Sequence, residues 1–352
     1  MKVGIITDMH IGARSDSIHY LNYFKRFYDN IFFPTIDDRG IDTVLDLGDT
    51  LDRRKYINFK TLSMFNEMWM TPLTQRNITL HAIVGNHQTY YRNTNDINSA
   101  DLLMNDVSKN YHIYTGPTEI ELDGRKILML PWVNRENYDE SVAAITNSKS
   151  PVLMGHLELS GYQMVRGSTC THGMEVSLFS KFSRVFSGHF HIKQHSLNVD
   201  YLGTPYEITF ADSGLDKGFH IFDTETLELE FIKNPEPMHI YIPYDDAKVN
   251  YDLVNVADYR HKMVKVNVIH KSDAYVFEKF IDRLIAAEPI KYTIIDTEEM
   301  NRLAASEDSS VESRDTMDIL TEYVSNNYSD THDRTKITTL MRELYNEAIA
   351  QQ

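Results

Sequence analysis

Five short, largely apolar segments of this chain each run into aspartate, asparagine or histidine, and this repeated pattern constrains the fold most. The first segment is residues 3–6, which are followed by Asp8 and His10. In open α/β sheets, ligands bind at the edge where the carboxyl ends of the strands lie. If the segment stays extended to His10, side chains two residues apart project to the same side of it. The pattern therefore predicts an α/β protein with a polar site at one edge of its sheet.

The same arrangement recurs four times farther along the chain, at residues 41–47, 78–84, 151–154 and 184–187, each of which runs into a glycine and then a polar residue. One such pair is a weak indication of a metal site, because short motifs match by chance, but five coincidences are not expected of polar loops. His189 and His191 are again expected on one side of an extended segment. We expect one pocket to collect seven side chains: Asp8, His10, Asp49, Asn86, His156, His189 and His191.

These side chains offer nitrogen and oxygen ligands and no thiolate, a set that suits manganese, iron or zinc better than calcium. Seven ligands are too many for one ion but sufficient for two, with Asp49 bridging. Two ions about 3.5–4 Å apart can stabilise the attacking and leaving oxygens of an in-line phosphoryl displacement. His87 follows the ligand Asn86, where it could contact the phosphate or protonate the leaving oxygen. The pattern therefore predicts a two-metal site for phosphoryl transfer.

The composition limits the cellular compartment and the classes of binding partner that we expect. A length of 352 residues suggests about two domains, and a hydrophobic content of 42% is ordinary for a globular protein. The net charge of −16 argues against a free-standing nucleic-acid binder, although local basic patches can still contact phosphates. The single cysteine, Cys170, excludes an intramolecular disulfide and favours a reducing compartment. We expect neither a signal peptide nor a membrane span, because charged residues interrupt the apolar runs.

Apolar spacing predicts helices over residues 15–40, where Pro34 should kink or split the helix, and over residues 58–76. Shorter helices are predicted at 100–107 and 138–147. Strands are predicted at residues 112–114, 118–122, 127–132, 196–202, 206–210, 218–222 and 227–232. After a connector at 234–237, a strand, a helix and a strand at 262–269, 274–287 and 292–295 indicate a small second domain.

Three basic residues, Arg53, Arg54 and Lys55, follow the second strand segment at the expected mouth of the pocket. They could contact phosphate or form a solvated surface turn, and the sequence favours neither. Two histidines lie outside the motifs: we interpret His81 as a packed strand residue and His172 as a solvated loop residue, although His172 could reach the site. No motif supports Cys170 as a nucleophile.

The C-terminal part of the chain has a different composition. Residues 298–314 are acidic and serine-rich, which predicts a mobile linker. Helices are predicted at 316–326 and 333–350, and the second of these carries one apolar stripe. A short amphipathic helix after a flexible linker must dock on another surface, and the reach of the linker favours a partner protein.

The motifs together resemble the calcineurin-like metallophosphoesterase superfamily and, within it, the SbcD-type nuclease subunit of DNA double-strand-break repair complexes in its bacteriophage recombination-endonuclease form. The resemblance covers most of residues 1–235. The motifs that carry it are Asp8-x-His10, Gly48-Asp49-x-x-Asp52, Gly85-Asn86-His87, Gly155-His156 and Gly188-His189-Phe190-His191. Further matching stretches are Asp52-Arg53-Arg54, Leu130-Pro131-Trp132 and the stretches at 201–205 and 217–223.

The resemblance implies a four-layer α/β/β/α sandwich that holds two Mn²⁺ ions, with Mg²⁺ as the alternative, and a small α/β cap domain. It implies that Asp8, His10, Asp49 and His191 hold one ion. It implies that Asp49, Asn86, His156 and His189 hold the other. His87 and Asp52 are the implied catalytic residues. Arg53, Arg54, Lys262 and Lys265 are the candidate DNA contacts.

The resemblance also implies the organisation of the chain and its partners. Residues 1–235 would form the nuclease domain, 236–296 a DNA-binding cap, 297–315 a flexible acidic linker and 316–352 helices that bind an ATPase. The expected partners are double-stranded DNA ends or hairpins and an SbcC-like ABC-type ATPase with a coiled coil. A homodimer within a heterotetramer and a cytoplasmic location, in the host if the chain is of phage origin, are expected.

One position departs from the family pattern. The family usually has aspartate after Gly-Asn-His, where it is thought to orient the histidine, and this chain has Gln88. Glutamine supplies no negative charge, which predicts a site less effective at near-neutral to alkaline pH. Two alternatives to a nuclease remain. One is a phosphoprotein phosphatase, whose signature Gly48-Asp49-x-x-Asp52-Arg53 resembles, and the other is a structural subunit that clamps DNA ends, supported only by Gln88.

Overall fold

A computed structural model of the chain describes residues 1–296 and Ile337. Met1–Ile294 form one compact unit and Ile295–Gln352 a second, of which three residues are described. The expected linker at 297–315 and the expected ATPase-binding helices at 316–352 fall outside the described residues, apart from the helical Ile337. In the described part of the chain, no helix combines the length and apolar character that a membrane span requires.

Strands and helices alternate through most of the described chain. The strands are β1 Lys2–Ile6, β2 Thr43–Asp46, β3 Thr79–Ile83, β4 Tyr111–Tyr114, β5 Thr118–Leu122, β6 Arg125–Leu130, β7 Val152–His156, β8 Gln163–Val165, β9 Ser168–Thr169, β10 Arg184–Gly188, β11 Gln194–Ser196, β12 Val199–Tyr201, β13 Gly218–Asp223, β14 Leu229–Lys233, β15 His239–Asp245, β16 Met263–His270 and β17 Lys291–Asp296. The α-helices are α1 Ala13–Asp16, α2 Ile18–Phe27, α3 Phe33–Asp38, α4 Phe59–Phe65, α5 Thr71–Gln75, α6 Ser99–Met104, α7 Tyr138–Asn147 and α8 Ala274–Ala286.

Two six-stranded sheets form the centre of the fold. The first has the strand order β14-β13-β1-β2-β3-β4, and the second has the order β11-β12-β10-β7-β6-β5. Residues alternate between the two faces of each strand, so Val3 and Ile5 of β1 pack with Val152 and Met154 of β7 in a core between the sheets. Both faces of the central strands are therefore buried, which explains why these segments are apolar throughout.

Helices cover the outer face of each sheet. Side chains of α2, α4 and α5 pack on the first sheet, with Phe24, Phe65 and Leu73 among the buried residues. Ile145 of α7 packs on the second sheet beside Leu153. The layers are therefore helix, sheet, sheet and helix, and the predicted α/β/β/α sandwich is confirmed.

Each of the two long predicted helices continues through a π-helical turn. Tyr28–Phe32 joins α2 to α3, and Asn66–Met70 joins α4 to α5. A proline follows each turn, Pro34 and Pro72, at the start of the next α-helix. Proline removes a backbone donor and crowds the preceding turn, and a π-turn accommodates such a defect. Pro34 therefore changes the helix locally, and the helical path continues beyond it.

A three-stranded sheet of β15, β16 and β17 follows residue 235. β15 pairs in parallel with β16, and α8 covers the sheet. Its own apolar cluster contains Tyr244, Val266 and Phe280. We call residues 236–296 the cap region.

One predicted strand is wrong. Residues 206–209 are not in a strand, and a 3₁₀ turn at Phe210–Asp212 follows them. Thr209 and Asp212 form a capping box around this turn, and the Asp212 carboxylate also accepts from the Ile208 backbone N–H. These side chains take the backbone groups that a strand would need, which an apolar alternation does not reveal.

Candidate metal centre

The polar turns of both sheets meet at one edge of the sandwich. β1, β2 and β3 run parallel in the first sheet, as do β7 and β10 in the second, so their carboxyl ends lie side by side. His156, the last residue of β7, joins the two sheets, because its Nδ1 lies 2.8 Å from the carbonyl oxygen of Leu47 after β2. A carbonyl only accepts hydrogen bonds, so Nδ1 carries the proton and Nε2 is left free for a ligand.

The backbone bends sharply where the ligand residues begin. β1 ends at Ile6, and φ is +52° at Asp8 and +43° at His10; β10 ends at Gly188, and φ is +86° at His189. The expectation that both pairs lie on extended segments is therefore wrong. Such left-handed conformations cost non-glycine residues about 1–3 kcal/mol each and persist only where neighbouring structure holds them.

Backbone hydrogen bonds hold these bends. The Asp8 and His10 N–H groups donate to the Gly48 and Asp49 carbonyls, both at 2.9 Å. Asp49 is itself bent, with φ of +54°. The two turns therefore support each other, and the same bending sends His189 and His191 into different groups of ligands.

The first group, cluster 1, is formed by Asp8, His10 and His191, whose ligand atoms lie within 4.8 Å of one another. The Nε2 atoms of His10 and His191 are 3.0 Å apart. Asp8 is fully buried, and its nearest ion-pair partner among the described residues is His10, at 3.9 Å.

The second group, cluster 2, is formed by Asp49, His156 and His189, again within 4.8 Å of one another. Asn86 joins it, because its Oδ1 lies 2.9 Å from Nε2 of His156 and 2.9 Å from Nδ1 of His189. Asp49 Oδ2 is 3.4 Å from His156 Nε2 and 3.7 Å from His10 Nε2. Asp49 therefore lies between the two clusters.

Two glycines allow the turns to approach this closely. A Cβ at Gly85 would overlap the backbone nitrogen and carboxylate of Asp49, and a Cβ at Gly188 would overlap the Thr7 hydroxyl beside Asp8. A side chain has no room at Gly85 or Gly188, so these two motif positions require glycine.

The family follows from the comparison with known sequences. Residues 1–193 match the family model described as calcineurin-like phosphoesterase. The chain belongs to the calcineurin-like phosphoesterase family. It is thus a hydrolase of phosphoester bonds, and the family uses divalent metal ions, for which the two clusters offer the donors.

Individual relatives of this phosphoesterase are known in sequence and in structure. It is 34% identical over 262 residues to Exonuclease subunit 1 of Enterobacteria phage T4, a match that covers 73% of this chain and 75% of the relative. A novel archaeal phosphodiesterase, at 15% identity and a TM-score of 0.35, covers 66% of this chain and all of that one. A dimetal phosphatase from Danio rerio, at 12% identity and a TM-score of 0.38, covers 63% and 91%. At these TM-scores the two structures add nothing to the assignment.

His87 and Asp52 lie beside the clusters of the phosphoesterase. Nδ1 of His87 is 2.7 Å from the backbone carbonyl of Asp52, and the His87 N–H donates to Asp49 Oδ1 at 2.7 Å. The carboxylate of Asp52 lies 3.2 Å from His10 Nδ1. The structure thus places the carbonyl of Asp52 against His87 and its carboxylate against His10.

Gln88 binds the backbone of the ligand turns. Its Oε1 accepts from the N–H groups of Asp49 and Gly85, both at 2.9 Å, and its Nε2 donates to the Thr50 hydroxyl at 3.0 Å. The His87 ring is therefore held by the Asp52 carbonyl, and Gln88 steadies the turn that carries Asp49.

Burial and neighbouring charge shift the pKa values of the ligands. Burial alone would raise the pKa of Asp49, but the adjacent imidazole of His156 outweighs it and holds that pKa well below the usual range. Burial opposes protonation of His156, yet Asp49 and Asp8 raise its pKa to about 9. Burial and the nearby His156 lower the pKa of His189 to about 3. His156 must therefore lose a proton before Nε2 can bind a cation.

Three residues outside the motifs support the ligands. The Thr7 hydroxyl donates to Asp8 Oδ2 at 2.9 Å, and the Tyr206 hydroxyl donates to the Met9 carbonyl at 2.6 Å. The buried ammonium of Lys217 donates to the His191 carbonyl at 2.8 Å and to Asp212 at 2.7 Å. Lys217 begins a stretch that matches the family pattern, but no sequence signal indicates the role of Tyr206.

The basic cluster after β2 divides into paired and unpaired side chains. Arg53 lies 3.1 Å from the Asp16 carboxylate and contacts the Tyr56 hydroxyl. Nη1 of Arg54 is buried and, in residues 1–296, has no hydrogen-bond partner. Burial and the nearby Arg92 lower the pKa of Arg54. Both arginines line a cavity of about 180 Å³ with Lys55.

The other candidate residues lie away from the centre. Lys262 lies 3.2 Å from Glu236, and the Lys265 ammonium lies 4.4 Å from the centre of the Phe210 ring. His81 is buried in β3, as interpreted from the sequence, with Nδ1 2.7 Å from the Tyr114 hydroxyl. His172 is exposed and lies 3.1 Å from Glu158.

Proposed function

We propose that this phosphoesterase is a Mn²⁺-dependent DNA nuclease, with exonuclease and endonuclease activity, that serves as a subunit of a recombination and double-strand-break repair complex. The observation that carries the proposal is the closeness of the two ligand clusters, because Asp49 of cluster 2 lies 3.7 Å from His10 of cluster 1, with His87 beside them. The name of its phage relative, an exonuclease subunit, supports DNA as the substrate.

The spacing of the donor atoms fits two cations. Adjacent ligands of an octahedrally coordinated cation, each about 2.1 Å from it, lie about 3 Å apart. The His10–His191 nitrogens, at 3.0 Å, and the Asn86 contacts with His156 and His189, at 2.9 Å, have this spacing.

We assign the two ions accordingly. Asp8, His10, Asp49 and His191 hold one ion, and Asp49, Asn86, His156 and His189 hold the other. When bound, the ions supply Lewis acidity and activate water for attack on phosphorus. The nitrogen and oxygen donor set suits Mn²⁺, and Mg²⁺ is the alternative.

His87 protonates the leaving oxygen. Its Nδ1–H donates to the Asp52 carbonyl, which fixes the ring and leaves Nε2 for the substrate. In the imidazolium form, Nε2–H contacts the phosphate and donates its proton to the departing 3′- or 5′-oxygen. Asp52 acts on the site through its carboxylate, which orients His10.

DNA reaches the centre past the basic cluster. Arg54 carries a buried guanidinium nitrogen without a partner among the described residues, which suits contact with a phosphate near the cleaved bond. Arg53 and Lys265 extend the path, and the cap region, residues 236–296, lies on the DNA. The pairing of Lys262 with Glu236 makes it a weaker contact.

The assembly follows the family resemblance. We infer that residues 316–352 bind an SbcC-like ABC-type ATPase at its coiled coil, that residues 297–315 are the linker, and that the substrates are double-stranded DNA ends or hairpins in the cytoplasm. A homodimer within a heterotetramer is supported by exposed apolar side chains on two helices, Phe59 of α4 at 88% and Leu102 of α6 at 73% exposure. Leu102→Asp should yield monomers in sedimentation experiments.

The deciding experiment is a nuclease assay on linear duplex and hairpin DNA with Mn²⁺, Mg²⁺ or Zn²⁺, with and without the ATPase. We expect activity with Mn²⁺, loss on chelation, and a fall in kcat of about 10²–10⁴-fold for His87→Ala with Mn²⁺ binding retained. Faster turnover of a phosphopeptide than of DNA would favour a phosphatase. Repair supported equally well by the His87→Ala protein would favour a structural subunit.

A further inference from the structure

We propose that Glu158, Cys170 and His172 form a second metal site that takes Zn²⁺, separate from the centre at the strand ends. One ligand atom from each side chain lies within 4.8 Å of the others. His172 Nε2 is 3.1 Å from Glu158 Oε1, and the cysteine is the single thiol of the chain.

The backbone holds these three residues close together. Glu158 and Cys170 lie in two segments, residues 158–162 and 170–174, that run side by side and are joined by hydrogen bonds. The Met174 N–H donates to the Glu158 carbonyl at 2.7 Å, and the Cys170 N–H donates to the Tyr162 carbonyl at 2.8 Å. Gly173 lies so close to Glu158 that a Cβ there would overlap its backbone. Backbone contacts thus hold the two segments together, independently of the three side chains.

The site has one buried and two accessible members. Cys170 is buried, whereas the side chain of His172 is 66% and that of Glu158 31% exposed. Glu158 and His172 line a cavity of about 470 Å³ together with Asn134 and Tyr138. A cation can therefore enter from solvent, and the exposed side chains can rotate to meet it.

The donor set selects the metal. Thiolate, imidazole and carboxylate are Zn²⁺ ligands, at bond lengths of about 2.0–2.3 Å, and tetrahedral ligands at these lengths are about 3.5 Å apart. The ligand atoms of Glu158 and His172 are already 3.1 Å apart. To place all three ligands around one Zn²⁺, these two side chains must move about 1 Å toward the sulfur. The thiolate distinguishes this site from clusters 1 and 2, whose nitrogen and oxygen donors suit harder ions.

Three protein ligands leave the fourth position of a tetrahedral ion to water. Binding requires the thiolate of the cysteine and an unprotonated imidazole nitrogen, so the proton of the thiol is released to solvent. Bound Zn²⁺ cross-links residues 158–162 to residues 170–174. Glu158 lies two residues after the ligand His156, so the cross-link steadies the segment that leaves the catalytic edge.

The test uses Co²⁺ as a spectroscopic probe on the full-length protein after chelation. Thiolate coordination of Co²⁺ produces a charge-transfer band in the near ultraviolet, and Cys170 is the single thiol that can produce it. We expect the band to saturate at one equivalent of thiolate-bound Co²⁺, to disappear on addition of Zn²⁺, and to be absent from Cys170→Ser. His172→Ala and Glu158→Gln should each weaken the affinity at least about tenfold.

The matched control is His195→Ala, because His195 is also exposed and paired with a carboxylate, 2.8 Å from Asp200. This variant should bind Co²⁺ as the unmodified protein does. Absence of the near-ultraviolet band in the unmodified protein would overturn the proposal. So would a band whose titration is unchanged in both His172→Ala and Glu158→Gln. Thermal unfolding of each variant checks that the fold is retained, and neither outcome depends on nuclease activity.

Discussion

The strand-end edge of the sandwich, which carries clusters 1 and 2, differs from the cap region in how its charged side chains are paired. At the edge, Asp8 and Asp49 are buried, and their ion-pair partners among the described residues are histidines. In the cap region, charges pair with opposite charges at the surface, as Arg260 does with Glu288 at 2.9 Å. A buried carboxylate stays ionised only where hydrogen-bond donors or cations compensate its charge, whereas surface pairs contribute little to stability.

This difference predicts where substitutions act. The edge holds left-handed residues, buried charges and close backbone contacts, so a change of one side chain there should alter the chemistry. The cap region has its own apolar cluster around Tyr244 and Phe280, and its charged side chains are outside that cluster. Substitutions of its surface charges should alter DNA binding and leave the chemical step unchanged.

The largest effect is expected for Asp49→Asn. The change removes the negative charge between the two clusters and weakens binding of both ions, which together contribute several kcal/mol to transition-state stabilisation. We expect kcat to fall by about 1,000-fold or more and Mn²⁺ affinity to fall as well. The measurements are a nuclease assay and a Mn²⁺ titration.

Glu288→Gln is the matched change in the cap region, because it also neutralises one carboxylate, here of an exposed ion pair with Arg260. It should leave kcat within about twofold of the unmodified protein. Equal losses in the two variants would show that the edge and the cap region do not differ as described.

The strand-end edge was easier to predict from the sequence than the residues that hold its turns in place. Runs such as Gly48-Asp49 and Gly85-Asn86 combine a turn residue with a ligand, and parallel strands bring such turns to one edge wherever they occur. The apolar runs predicted buried strands of an α/β protein, because strands buried on both faces are apolar throughout, whereas the layered sandwich was expected from the family resemblance.

The supports depend on contacts between residues far apart in sequence. The bond from Tyr206 to the Met9 carbonyl spans 197 residues, and that from Gln88 to Asp49 spans 39. Neither hydrogen bond follows from a local sequence pattern. The left-handed bends at Asp8 and His10 likewise arise from hydrogen bonds with the turn after β2. The predicted strand at residues 206–210 failed for a local reason, since the Asp212 side chain accepts from the backbone N–H groups of Ile208 and Thr209.

A smaller effect, on stability, is expected from buried histidines of the first sheet. Burial lowers the pKa of His81 to about 4, against an ordinary value near 6.5. As the pH falls from 6.5 to 4, the unfolded chain takes up a proton that the folded protein does not, so the free energy of unfolding falls. The loss is about 3 kcal/mol for this residue. His81→Asn should flatten the fall in denaturation curves between pH 7 and pH 4.

The cap region supplies the control for this pH effect. His270 is exposed and lies 2.8 Å from Asp246. His270→Asn removes a histidine that is not buried, so the fall in unfolding free energy that burial of His81 causes should remain in this variant. A flattening by His270→Asn as large as that by His81→Asn would contradict the contrast between the two regions.

Next in size is the effect of Arg54→Ala on substrate binding. Its buried guanidinium nitrogen has no partner in residues 1–296, so we expect it to pair with a DNA phosphate. Loss of that pair should raise KM about tenfold, a change of about 1.4 kcal/mol. Arg53→Ala should have a smaller effect, because Arg53 is already paired with Asp16. A larger rise in KM for Arg53→Ala would reverse these roles.

The smallest effect is expected for single lysines of the cap region, where Lys262 and Lys265 separate packing from DNA contact. Lys262 is 13% exposed and lies 3.2 Å from Glu236, which also binds Arg26 at 2.7 Å, so it joins the cap region to α2. Lys265 contacts the face of the Phe210 ring and has no ion pair among the described residues. Removing one phosphate contact makes the slope of the logarithm of the binding constant against the logarithm of the salt concentration smaller by about one. Lys265→Ala should therefore weaken DNA binding a few-fold at low salt and reduce that slope, whereas Lys262→Ala should lower the unfolding temperature and keep the slope. The reverse pattern in salt titrations would place the DNA on the Lys262 side of the cap region.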